Sequence, residues 1–151
     1  MKELQNQALQ DLYDSDSYLW LENTLALLRR GEFDRLDLAH LIEELEDLGK
    51  RDLNKAKSLL RQIMVHLLLL EYWQQEYERN YRHWRSELIA FRDDVNHVLT
   101  TSLKNKLSTD LDRIYQVALS QVVQKTGLPD GAFPSNCPYG WDQILTNWYP
   151  S

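Results

Sequence analysis

This chain of 151 residues is poor in the residues that form cross-links and sharp turns, and it has no long apolar run. Its one cysteine, Cys137, excludes an internal disulfide and a zinc site built from several thiolates. Four prolines and five glycines are too few for the many turns of a β-sandwich or barrel. The longest purely apolar run, residues 67–70, is far too short to cross a bilayer. We therefore expect an all-α protein that does not enter a membrane.

The charge of the chain limits its partners further. Its formal net charge is −6, which disfavours a general attraction to nucleic acid or to an anionic membrane surface. The first residues are polar and lack the apolar segment of a secretory signal. Together with the single cysteine, this predicts a protein of the reducing cytoplasm.

Hydrophobic periodicity predicts a helical bundle of about five helices, with a short C-terminal helix and an aromatic, proline-rich tail. We expect one domain over residues 1–151 with its core at about 13–150. The first helix follows an N-cap cluster at residues 14–17 and ends at Gly31, where glycine can take the left-handed conformation. The second begins after Asp37, and a mild break at Gly49 separates it from a third at about 51–75. Later helices are predicted at about 80–101, from a cap at Ser108 or Thr109 to Thr126, and at about 141–148.

Each of the five main helices carries an apolar stripe at spacings of three and four residues, which predicts the face turned towards the core. The first two stripes are Tyr18, Leu21, Leu25, Leu28 and Leu38, Leu41, Ile42, Leu45, Leu48. The next two are Leu53, Ala56, Leu60, Ile63, Leu67, Leu70 and Tyr81, Trp84, Leu88, Phe91, Val95, Val98, Leu99. The fifth is Leu107, Leu111, Ile114, Tyr115, Ala118, Val122. Trp20 is expected in the core as well.

Several motifs occur in a characteristic order along the chain. They are residues 13–21 and 36–49, His66-Leu67-Leu68, Thr126-Gly127-Leu128 and Cys137-Pro138. On these motifs the chain resembles domain-of-unknown-function family 29, which is mostly cyanobacterial, from about residue 13 to 150. The resemblance implies a compact all-helical fold and no established activity. Leu69 and Leu70 stand where the family pattern often has a lysine, so no role of that lysine carries over.

Two ionisable side chains lie beside apolar faces, where they need partners. Glu44 flanks the stripe of the second predicted helix, and His66 lies inside the leucine-rich run of the third. If these helices pack antiparallel, the two side chains meet. They then form either a hydrogen-bonded pair that fixes helix register or half of an acid/base or metal site. One histidine and one glutamate fall short of a complete ligand set, so we favour the structural pair and expect neither a metal nor a cofactor.

A basic and aromatic segment at residues 79–92 offers a second candidate site. Arginines interleaved with aromatic rings can grip phosphates and stack bases. Because Arg85 and Arg92 flank the stripe of their helix, we favour an internal role in which they clamp Glu44 or its acidic neighbours. The candidate polar site is therefore Glu44, His66, Arg85 and Arg92.

Without a complete catalytic or ligand set, the sequence favours a non-enzymatic interaction protein, such as an adaptor or small regulator. We expect a protein partner and leave open whether a second copy of the chain is one. A metal-binding or acid/base enzyme using Glu44 and His66 is the first alternative. Binding of nucleic acid or phosphate through residues 79–92 is the second.

Overall fold

The computed structural model describes residues 2–151, with side chains from residue 6 onward. Regular structure in this range is entirely helical, which confirms the all-α prediction. Its seven α-helices are α1 (Lys2–Ser15), α2 (Ser17–Arg29), α3 (Leu38–Tyr72), α4 (Tyr77–Val98), α5 (Thr101–Ser108), α6 (Leu111–Thr126) and α7 (Trp141–Leu145). Short 3-10 turns lie at Phe33–Arg35, Gln74–Glu76 and Asp130–Ala132.

The chain divides into two compact units, which we call unit 1 (up to Arg51) and unit 2 (from Asp52). Helix α3 runs through the boundary between them. Each unit is described by itself below. Nothing in this division tests the expectation of a single domain, which stays a prediction.

Four residues predicted at helix boundaries lie there, two at the start of a helix and two just after its end. Asp16 accepts a hydrogen bond from the backbone N–H of Leu19 at 3.1 Å, which caps α2. Asp37 precedes α3, and its carbonyl accepts from the N–H of Leu41 at 3.0 Å. Gly31 and Gly127 follow α2 and α6 with φ of +72°, a conformation that other residues adopt at a cost.

The break expected at Gly49 is wrong, because α3 is continuous from Leu38 to Tyr72. A glycine inside a helix costs about 1 kcal/mol relative to alanine, yet it keeps its backbone hydrogen bonds and does not end the helix. Two further helices, α1 and α5, were not predicted as separate elements. The cap predicted at Ser108 or Thr109 is wrong, because α6 begins after Asp110 and Ser108 is the last residue of α5.

Unit 2 has a large apolar core that follows the predicted stripes. Ala56, Leu60, Ile63 and Leu67 of α3 are fully buried, as is Leu88 of α4. From α6, the members of the stripe that are buried are Ile114, Tyr115, Ala118 and Val122. The periodicity of the last three predicted stripes is thus confirmed.

Unit 1 has a small core of four buried apolar side chains, Leu9, Trp20, Leu27 and Leu36. Trp20 lies in the core as predicted. The first predicted stripe is wrong, since Tyr18, Leu21, Leu25 and Leu28 of α2 are exposed. In the second stripe only Leu41 packs against this core, while Leu38, Ile42, Leu45 and Leu48 of α3 are exposed. Helix α2 instead buries Trp20, Thr24 and Leu27, because the indole of Trp20 offers a large apolar surface and finds a buried hydrogen-bond partner in Asp37.

Candidate functional site

The predicted contact between Glu44 and His66 does not form. Both residues lie on the continuous helix α3, and each has a partner of its own, Tyr13 for Glu44 and the carbonyl of Gln62 for His66. Antiparallel packing of two helices would need a break at Gly49. Helix α3 has no break there. Glu44 and His66 therefore have separate surroundings.

Glu44 is bonded within unit 1. Its Oε1 accepts a hydrogen bond of 2.6 Å from the hydroxyl of Tyr13 on α1. This bond to a carboxylate, together with desolvation, raises the pKa of Tyr13 to about 12. Glu44 thus joins α3 to α1.

His66 bonds to its own helix. Its Nδ1 lies 2.7 Å from the carbonyl oxygen of Gln62, and this contact requires the proton on Nδ1. The ring meets Phe91 edge to face, with centroids 5.2 Å apart. Burial lowers the pKa of His66, since the charged imidazolium loses hydration there. A neutral imidazole bonded to the preceding helical turn explains how a histidine fits into this leucine-rich run.

The structure brings Arg85 and Arg92 together around the C-terminal tail, while the predicted Arg–Glu clamp is wrong. Their guanidinium carbons lie 4.6 and 5.2 Å from the ring centroid of Tyr149. Arg92 is buried and donates to three backbone carbonyls, those of Ile144 at 2.9 Å, Gln143 at 2.8 Å and Trp148 at 2.7 Å. Desolvation lowers the pKa of Arg92, but a guanidinium keeps its charge in a protein.

These contacts explain the basic and aromatic segment at residues 79–92. Arg92 satisfies carbonyls at the C-terminal end of α7, where the helix leaves acceptors without intrahelical donors. Arg82 donates to the hydroxyl of Tyr81 at 3.1 Å, and Arg79 lies 4.0 Å from Glu76. Two of the four arginines in this segment, Arg85 and Arg92, therefore contact the protein's own C-terminal tail.

A cluster that the sequence reasoning missed lies around Asp37 in unit 1. The carboxylate of Asp37 is buried, and its Oδ2 accepts from Trp20 Nε1 at 3.1 Å and lies 2.5 Å from His40 Nδ1. The ring of Tyr13 stacks on His40, with centroids 3.9 Å apart, and meets Trp20 edge to face at 5.1 Å. Since Tyr13 also bonds Glu44, we call these five residues the Asp37 cluster.

The Asp37 cluster connects three helices through polar bonds. The hydrogen bond between His40 and Asp37 raises the pKa of His40, so the protonated imidazolium form of His40 is favoured. An imidazole held through Nδ1 by a buried carboxylate has Nε2 as its remaining donor or acceptor. A spacing of three residues between Asp37 and His40, across the start of a predicted helix, is the signal that could have indicated this pair.

Two further candidates can be placed. Burial raises the pKa of the Cys137 thiol, which opposes the formation of a nucleophilic thiolate. Across the side chains described, no group of three His, Cys, Asp or Glu converges in a way that could hold a metal ion. Not one of the helices in residues 2–151 has both the length and the hydrophobicity needed to cross a membrane.

The other exceptional feature is the apolar surface of unit 1. Twelve large apolar side chains are exposed among residues 6–151, and ten of them belong to unit 1. Leu38, Ile42, Leu45 and Leu48 are each more than half exposed, and we call them the apolar face of α3. Contiguous exposed apolar surface of this kind is typical of sites that bind another molecule.

The fold defines a class, that of all-helical proteins. Among solved structures, the chain is similar to an alpha-helical protein of unknown function from Rhodospirillum rubrum, with 26% sequence identity and a TM-score of 0.63 over 88% of each chain. No curated protein matches it. The family model described as Domain of unknown function DUF29 matches residues 12–149, and the chain belongs to that family, as the sequence motifs predicted.

Proposed function

We propose that this protein is a docking module that binds a basic amphipathic helix of a partner protein through the apolar face of α3. The observation that carries the proposal is the exposure of Leu38, Ile42, Leu45 and Leu48 in a unit that holds ten of the twelve exposed large apolar side chains. Spacings of three and four residues give a ridge that a second helix can pack against. We place this function in the cytoplasm, where a lone cysteine stays reduced.

Charge determines the chemistry of the partner. Glu46 is exposed and lies beside Ile42 at the edge of the apolar face, and the whole chain carries a net charge of −6. A partner helix with lysine or arginine on the flank that meets Glu46 would complement this carboxylate.

Fluorescence anisotropy with a labelled amphipathic peptide tests the proposal without knowledge of the natural partner. The probe is a helical peptide of leucine and lysine, and its counterpart has glutamate in place of lysine. We expect the wild-type protein to bind the lysine peptide and not the glutamate peptide. Leu45→Glu should weaken binding about tenfold or more, since it places a charge in the centre of the apolar contact.

Ile89→Glu is the matched control. Ile89 is an exposed apolar residue of α4 in unit 2, and the substitution adds the same charge to the protein. Any general attraction between an acidic protein and a basic peptide is therefore equal in the two variants. Equal binding by Leu45→Glu and Ile89→Glu contradicts the proposal. So does a dimer in light scattering that dissociates only in Leu45→Glu, since the occupant would then be a second copy.

A further inference from the structure

A pocket in unit 2 concentrates positive charge that the proposed docking function does not use. Its volume is about 310 Å³, and it is lined by Lys57 and Arg61 of α3 and by Arg113 of α6. One carboxylate, that of Asp110, lies among them. Three cations against one anion leave two positive charges in excess, although the whole chain carries a net charge of −6.

Helical spacing explains why these side chains share one pocket. On α3 the lining residues are four at spacings of three and four, namely Asn54, Lys57, Ser58 and Arg61. The same spacing recurs in Asp110, the residue before α6, and in Arg113, Ile114 and Val117 of that helix. Residues at such intervals lie on one face of a helix, so each helix presents a continuous strip to the cavity.

The side chains that line this pocket offer more hydrogen-bond donors than acceptors. Lys57 Nζ lies 3.6 Å from Asp110 Oδ2, which accounts for the one carboxylate. Arg61 Nε is buried and has no hydrogen-bond partner among the described residues. A buried donor without a partner costs free energy, and an anion in the pocket would remove that cost. Ser58 Oγ accepts a bond of 3.1 Å from Gln62 Nε2, which leaves the hydroxyl proton of Ser58 to donate.

We propose that this pocket binds a phosphate dianion, either free or as the phosphate group of a small phosphomonoester. A phosphate carries about −1.5 to −2 charges at pH 7, which matches the excess of two positive charges, whereas one carboxylate would not. Its tetrahedral oxygens accept bidentate bonds from arginine, together with bonds from Lys57, Ser58 and the amide of Asn54. This site is independent of the apolar face of α3.

Isothermal titration calorimetry of the full chain at constant ionic strength tests the site, with inorganic phosphate in one arm and glycerol phosphate in the other. Arg61→Gln and Arg113→Gln should each weaken binding about tenfold, since each removes a charge-assisted donor. Arg79→Gln is the control, because Arg79 is an exposed arginine of α4 outside the pocket. It should leave binding within about twofold of wild type. Arg61→Lys keeps the charge and removes the planar fork, so it should give an intermediate loss.

The outcomes separate the proposal from its rivals. Tighter binding of glycerol phosphate supports an esterified ligand, and tighter binding of inorganic phosphate supports the free anion. Failure of the wild-type protein to bind either compound overturns the proposal, as does an equal loss in Arg79→Gln. A melting temperature in chloride equal to wild type shows that each arginine variant is folded. Leu45→Glu should bind phosphate normally, so failure here is distinguishable from failure of the docking function.

Discussion

Units 1 and 2 contain helices with the same apolar periodicity, but they use it in opposite ways. In unit 2 the stripes of α3, α4 and α6 are covered and form a large core. In unit 1 the regular stripes of α2 and the first part of α3 are exposed, and a core of only four residues lies on other faces. A stripe at helical spacing therefore identifies a face that needs a partner, and the partner can be the same chain or another molecule.

The two units also differ in how polar groups support them. Unit 1 has the buried Asp37 at its centre, with Trp20, His40 and Tyr13 arranged around it. Unit 2 relies on apolar packing and uses the buried Arg92 to hold its C-terminal tail. Because polar networks are costly when incomplete, each unit should be sensitive to the loss of its own buried polar side chain.

The largest effect should come from truncating the core of unit 2. Leu67 is fully buried, and Leu67→Ala should lower the free energy of unfolding by about 3–5 kcal/mol, because it leaves a cavity in a large, closely packed core. Leu27→Ala in the small core of unit 1 should cost less, about 2 kcal/mol, since fewer buried neighbours surround it. Urea unfolding of both variants measures the difference. A larger loss in Leu27→Ala would invert the comparison.

Replacing Arg92 should release the tail of unit 2. Arg92→Lys keeps the positive charge but cannot reach the carbonyls of Gln143, Ile144 and Trp148 together. We expect a loss of about 2–3 kcal/mol, as buried acceptors are left without donors. Hydrogen exchange should accelerate at residues 141–151 while unit 1 keeps its protection. Arg79→Lys is the exposed control, and equal effects in both variants would show that Arg92 does not hold the tail.

Removing Asp37 should loosen unit 1 alone. Asp37→Ala deprives the indole N–H of Trp20 of its acceptor and removes the side-chain oxygen that faces the N–H of His40 in the first turn of α3, at a cost of about 2–3 kcal/mol. Asp37→Asn keeps a capping side chain and one acceptor oxygen, so its loss should be smaller. Hydrogen exchange should accelerate in residues 6–51 and remain unchanged in residues 52–151. Uniform acceleration would mean that the two units unfold together.

Sequence reasoning predicted the apolar stripes that pack against the core of unit 2. It did not predict which groups the polar side chains contact. The stripes of α4 and α6 were predictable because their periodicity and their burial agree. Glu44 and His66 were each correctly marked as needing a partner, yet their partners are Tyr13 and the carbonyl of Gln62. Neither partner follows from helical spacing within a single stripe. The error at Gly49 was decisive, because the predicted pairing of Glu44 with His66 depended on a helix break there, and α3 is continuous.

His40 of unit 1 and His66 of unit 2 should have pKa values shifted in opposite directions from the ordinary value of a histidine. The hydrogen bond with Asp37 raises the pKa of His40 above its unfolded value of about 6.5, so its contribution to stability is fully present below about pH 6.5. That contribution is lost as the pH rises through the folded pKa. Burial lowers the pKa of His66, so its contribution is present above about pH 6.5 and is lost as the pH falls through the folded pKa.

NMR titration of the imidazole protons measures both directions, with His40→Gln and His66→Gln used to assign the signals. The effect of pH on stability through His40 should be smaller than the effect of removing Asp37, because a neutral imidazole with its proton on Nδ1 still donates to the carboxylate. A pKa of His40 below that of His66 would contradict the hydrogen-bonding of the Asp37 cluster.

The smallest effect should be a gain in stability from Gly49→Ala. Gly49 lies inside α3 near the boundary of the two units, and open space surrounds the position that a Cβ atom would take. Alanine restricts the unfolded chain and has the higher helix propensity, so the substitution should stabilise the protein by about 0.5–1 kcal/mol. Urea unfolding measures the gain, with Gly127→Ala as a contrasting variant that should destabilise, because Gly127 has a positive φ. A destabilising Gly49→Ala would instead indicate that α3 bends or breaks at this position in solution. An antiparallel packing that joins Glu44 to His66 would then be possible.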